Sequence, residues 1–128
     1  VNREIVWVTK RVVLRVHDEQ LQRHGGDAGI LHESRLEAAL ARPQSAFGYM
    51  PDMSLAELAA SLAVAIAKGH AFVDGNKRTA AVVSLLFLRL NHVEISVSEE
   101  ELGDVFIAVA DGAMPEAELA FWFSENAL

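Results

Sequence analysis

Nine consecutive residues, His70-Ala71-Phe72-Val73-Asp74-Gly75-Asn76-Lys77-Arg78, hold every group needed to handle a phosphorylated substrate. An imidazole such as that of His70 acts as a general base when it can reach the proton of an attacking hydroxyl. Asp74 offers a hard carboxylate oxygen, and magnesium prefers one or two of these together with substrate phosphates. Gly75 lacks a Cβ, so phosphate oxygens can approach its backbone. Asn76, Lys77 and Arg78 then fall in the first turn of a helix. Two cations there oppose the helix dipole, at roughly 0.3–1 kcal/mol each. They become favourable once an anion binds, and the unpaired N–H groups of a first turn already form an anion site. Phe72 has no polar role and reads as an anchor in the core.

The elements on either side must hold this segment still. Residues 54–68 read as a helix with Ser54 as N-cap, and Glu57 completes a capping-box spacing. Gly69 is expected to end it. Residues 76–90 read as a second helix, apolar on all faces through Ala80-Ala81-Val82-Val83-Ser84-Leu85-Leu86-Phe87-Leu88 and therefore buried. Asn91 closes it. Upstream, residues 5–8 suggest a short strand, and Thr9 caps a helix that runs to about residue 24 and stops at Gly25-Gly26. Its inward face reads as Val12, Val13, Val16 and Leu21. Residues 27–31 are a loop, followed by a helix over about 33–41 with Pro43 just beyond its end. Residues 43–54 read as a long irregular connection, a flap in which Phe47 and Tyr49 either dock a target or pack. Residues 93–97 read as extended. Ser98 caps a helix to about residue 110, with Glu99, Glu100 and Glu101 in the turn where the dipole favours them. Asp111-Gly112 breaks it, and Pro115 opens a last helix. The expectation is an all-α bundle of about six helices with minor extended segments, formed by residues 1–128 as a single domain.

Composition narrows the function classes. Of the 128 residues, 52% are apolar, enough for one core, and there are no cysteines to form disulfides, thiolate metal sites or thiol nucleophiles. The formal charge of −7, from 18 acidic and 11 basic residues, argues against direct binding of DNA or RNA. A local cation cluster can still hold a phosphate at close range. The mixed-charge start, Val1-Asn2-Arg3-Glu4, does not read as a secretory signal, and the apolar run over 79–88 is about half a bilayer span. A soluble, cytoplasmic protein without a membrane partner is expected.

The nine-residue segment resembles the signature of the Fic/Doc superfamily. That signature has His, any residue, Phe, any residue, Asp or Glu, Gly or Ala, Asn, Gly or Lys, and Arg. The stretch from Gly25-Gly26 through Arg35-Leu36-Glu37-Ala38-Ala39-Leu40-Ala41-Arg42-Pro43-Gln44 is similar to the death-on-curing (Doc) branch, and the likeness spans about residues 9–110. It implies that His70 is the catalytic base, that Asp74 is the Mg2+ ligand, and that Gly75, Asn76, Lys77 and Arg78 bind the phosphates of ATP. Lys77, where Fic adenylyltransferases have glycine, implies delivery of the γ-phosphate to a protein hydroxyl. For the family that hydroxyl is a threonine of translation elongation factor Tu, and the result is arrest of protein synthesis. Gly75, where Doc often has alanine, keeps AMP transfer as the alternative, and a catalytically inactive binding module is a third. Many Fic proteins carry an inhibitory Ser or Thr followed four residues later by Glu and then Gly or Asn. Ser96 and Glu100 have that spacing, but Glu101 follows. A chain without its own brake implies a cognate antitoxin as partner, as in a type II toxin-antitoxin module.

Other residues read plainly. His17 and His24, seven apart on one helix, are expected to be ordinary rather than a metal pair, and His32 and His92 to face water. Asn76 could also serve as a helix cap. Phe121-Trp122-Phe123 reads as core plus one exposed ring, with a partner contact as the runner-up.

Overall fold

The two helices that flank the motif form the centre of the molecule. A computed structural model describes residues 4–128, so the charge pattern at residues 1–3 lies outside the described residues. Six helices follow in order: α1 (Lys10–His24), α2 (Glu33–Tyr49), α3 (Leu55–Gly69), α4 (Asn76–Leu90), α5 (Glu99–Asp111) and α6 (Glu116–Glu125). α3 packs on α4, α2, α6 and α5, while α4 also takes α1 and α5. That placement is what an all-round apolar sequence requires. Leu58, Ala59, Ala60, Leu62, Ala63, Ile66 and Ala67 of α3 are all buried, as are Ala80, Ala81, Val83, Phe87 and Leu88 of α4. The alanines let neighbouring backbones approach closely. A single apolar cluster joins residues from all six helices.

Local signals set the helix ends. Thr9 Oγ1 accepts from Val12 N–H, and Gly25 at φ 77° donates its N–H to Leu21 O at 2.7 Å. The capping box at α3 is complete, with Glu57 N–H donating to Ser54 Oγ at 3.0 Å and Ser54 N–H to Glu57 Oε1 at 2.9 Å. Gly112 ends α5 in the left-handed region. The C-terminal residues return to the segment before α5. Ile95 pairs with Ala127 in an antiparallel bridge, and Leu128 N–H donates to Glu94 O at 2.9 Å.

Three expectations need correction. Pro43 does not end α2; it lies inside it, buried, and the helix continues to Tyr49. The expected flap is therefore mostly helix. Phe47 packs edge-on against Trp7 at 6.0 Å, and Tyr49 stands exposed at the helix end. Residues 5–8 pair with no other strand among the described residues. The Asn91 side chain takes that role, accepting from Val6 N–H and donating to Val6 O, both at 2.9 Å. Finally, the left-handed residue that stops α3 is His70, not Gly69.

α1 and α2 are tied at the surface by Lys10, which donates to Glu33 and, at 3.4 Å, to Glu37. The Glu33 hydrogen bond raises the Lys10 pKa above its ordinary 10.5. No helix among the described residues is long and apolar enough to cross a membrane.

Candidate active site

The chain leaves α3 through His70, a non-glycine residue at φ 49°, ψ 44°. Such geometry turns the backbone sharply and leaves the His70 side chain exposed. Its imidazole has no hydrogen-bond or ion-pair partner among the described residues, so both ring nitrogens are accessible.

Ala71 and Phe72 then turn inward and are buried. The loop between α1 and α2 holds them mainly by its backbone. Leu31 N–H and His32 N–H donate to Ala71 O at 2.7 and 3.1 Å, and Val73 N–H donates to Gly29 O at 3.1 Å. Ile30 and Phe72 form an antiparallel bridge. Asp27 N–H donates to Asp74 Oδ2 at 2.8 Å. A Cβ on Gly26 would sit 3.2 Å from Asp74 Cβ, so a side chain there would crowd Asp74.

Asn76 closes the motif on itself. Its Oδ1 accepts from Phe72 N–H at 3.1 Å and its Nδ2 donates to Phe72 O at 3.0 Å. It is not the cap of α4. That position belongs to Gly75, at φ 82° and with no side-chain cap bond. Glycine is favoured at 75 by the positive φ of 82°, while a Cβ there would meet the His17 ring only in ordinary van der Waals contact at 3.5 Å. The backbone therefore accounts for this glycine whichever group is transferred.

Beyond the loop, Asp74, Gly75, Asn76, Lys77 and Arg78 line one side of a cleft of about 840 Å³. Arg23 and His24 of α1 and Glu99, Leu102, Phe106 and Ile107 of α5 form its other walls. The size falls within the ~300–1,000 Å³ usual for small-molecule sites. Arg23, Lys77 and Arg78 form no ion pair among the described residues, so three cations face a cleft in a protein of net charge −7. Around them lie the unpaired N–H groups of the α4 first turn. Asp74 through Arg78 thus come together at this cleft. His70 does not line it; it stands at the start of the loop, where α3 ends, four residues before Asp74.

His17 is the residue that sequence reading missed. It is 4% exposed, its Nε2 lies 2.8 Å from Asp74 O, and its ring stacks on Phe72 at 3.8 Å and 11°. The signal was available. Val13, Val16, His17 and Gln20 share the buried face of α1, so a titratable side chain stands at a core position of a regular stripe. Among the described residues no three His, Cys, Asp or Glu side chains are grouped to hold a metal by themselves, and His17 is engaged elsewhere.

A cleft at the first turn of a buried helix, lined by a carboxylate and free cations and following an exposed imidazole on the same loop, is the arrangement expected of a Fic-type transferase. Residues 7–88 match the Fic/DOC family, and the chain belongs to it. It is 36% identical over 113 residues to "Protein kinase doc" of Escherichia phage P1, covering 88% of this chain and 89% of that one. Over 103 residues it is 35% identical to "Toxin Doc" of Mycolicibacterium smegmatis, covering 75% and 79% of the two chains.

Proposed function

We propose that residues 1–128 act as one domain, the cytoplasmic toxin of a toxin-antitoxin module, which transfers the γ-phosphate of ATP to a hydroxyl of a protein target. The names of the two relatives, a kinase and a toxin, support this reading. The observation that carries it is the unpaired cation cluster of Arg23, Lys77 and Arg78 around the free end of α4, with Asp74 alongside. By family resemblance the target is a threonine of elongation factor Tu, and a cognate antitoxin restrains the enzyme.

In this reading Lys77, Arg78 and the backbone of Gly75 and Asn76 hold the triphosphate. His70 takes the proton of the target hydroxyl. The hydroxyl oxygen bonds to the γ-phosphorus as the bond from that phosphorus to the β,γ-bridging oxygen breaks, and ADP leaves. Mg2+ would be held by Asp74 together with the phosphates. Asp74 suits this, because Oδ2 accepts from Asp27 N–H and Oδ1 has no partner among the described residues. When bound, the ion neutralises charge on the phosphate oxygens.

The test is incubation of elongation factor Tu with the chain and with ATP labelled at either the α or the γ position, followed by intact mass. Label from the γ position and a mass increase of one phosphate are expected. Label from the α position would replace this reading by AMP transfer. His70→Ala should slow transfer by about 10²–10⁴-fold while leaving nucleotide affinity and folding intact. If it remains as toxic as the wild type, the chain acts by binding alone.

A further inference from the structure

His17 lies outside the lining of the cleft, yet it touches the motif at two places. Its Nε2 is 2.8 Å from Asp74 O and its ring covers Phe72. A carbonyl oxygen can only accept, so Nε2 carries the proton and donates it.

The consequence follows from peptide geometry. The Asp74–Gly75 bond is trans and planar, so the Asp74 carbonyl and the Gly75 N–H point in opposite directions. With the carbonyl turned towards α1, the Gly75 N–H is turned away from it, at a residue that lines the cleft. That N–H has no hydrogen-bond partner among the described residues. This peptide is also the one most easily reversed, because glycine accepts either sign of φ. Reversal would remove a donor from the cradle and present a carbonyl oxygen to the anion.

We infer that His17 is a positioning residue which locks the Asp74–Gly75 peptide plane, so that the Gly75 N–H faces the phosphates of the nucleotide. The inference rests on the nucleotide-binding reading of the cleft. The hydrogen bond fixes the plane and the stacked ring fixes the hydrogen bond.

Two substitutions separate these contributions in the full-length chain. His17→Phe keeps a ring over Phe72 and removes the donor. His17→Gln keeps an N–H donor at similar reach. With MgATP as the probe, the wild-type Gly75 amide resonance should move on titration. His17→Phe should bind roughly tenfold more weakly, the loss expected for one hydrogen bond to a charged system, and its Gly75 resonance should no longer move. His17→Gln should recover most of the affinity and the shift. In the wild type, long-range nitrogen correlation spectra should put the His17 proton on Nε2. A bare Nε2, or a His17→Phe protein with wild-type affinity and an unchanged Gly75 shift, overturns the inference. The tautomer measurement decides even if His17→Phe fails to fold. If MgATP leaves the wild-type Gly75 amide unmoved, the nucleotide reading falls first and takes this one with it.

Discussion

Asn76 commits both ends of its amide to the backbone of Phe72. Only one N–H of that amide is left for a ligand, so its first duty is to shape the loop that carries Asp74 and Gly75. Asn76→Ala should therefore cost about 1–3 kcal/mol in urea unfolding, because the backbone polar groups of buried Phe72 lose their partners. A stability within error of the wild type would assign Asn76 to ligand contact alone. The types and order of the motif residues were legible from the sequence, since imidazole, carboxylate and adjacent cations announce their chemistry. Their partners were not. Whether Asn76 caps a helix or clasps a loop depends on two left-handed residues, His70 and Gly75, and sequence rules anticipate only the glycine.

Among the elements, α1, α3, α4 and α5 begin and end close to the predicted positions, and α6 begins after Pro115 as expected, because the signals for helix ends lie within a few residues of them. α2 departs from prediction. Proline in a helix interior costs ~3 kcal/mol relative to alanine, which is why Pro43 reads as a stop. The tertiary contacts on either side of it point the other way. Phe47 packs against Trp7, and Arg42 Nη1 donates to Ser61 O at 3.2 Å and to Glu116 Oε1 at 2.7 Å, linking α2 to α3 and α6. Such contacts are long-range and leave no local trace. Pro43→Ala should raise stability by about 1 kcal/mol or less. The propensity gain exceeds, though not by much, the loss of two buried methylenes at ~0.8 kcal/mol each and the greater freedom of the unfolded chain. A fall in the thermal midpoint would mean that the Pro43 ring is irreplaceable packing.

At the scale of the whole molecule, core and site are one construction. Phe72 is fully buried, stacks under His17 and bridges to Ile30, while its backbone holds Asn76. Phe72→Ala should cost about 3–5 kcal/mol of unfolding free energy, a large share of the 5–15 kcal/mol typical of small domains. The site should lose nucleotide binding in the same urea range where the helices melt. Two separate transitions would show that the loop folds independently of the bundle. The bundle itself was legible from apolar periodicity. That α1 would turn a histidine towards the motif was not, because the relevant partner lies 57 positions away.

The segment between α1 and α2 grips the motif through amides at 27, 31 and 32 and a carbonyl at 29, with hardly any help from its own side chains. Side-chain chemistry in this segment can therefore change without loosening the clasp. What the segment cannot change is its length, its crowded glycine at 26, or the freedom from proline wherever an amide must donate. Spacing, more than residue identity, is what keeps the motif in this grip.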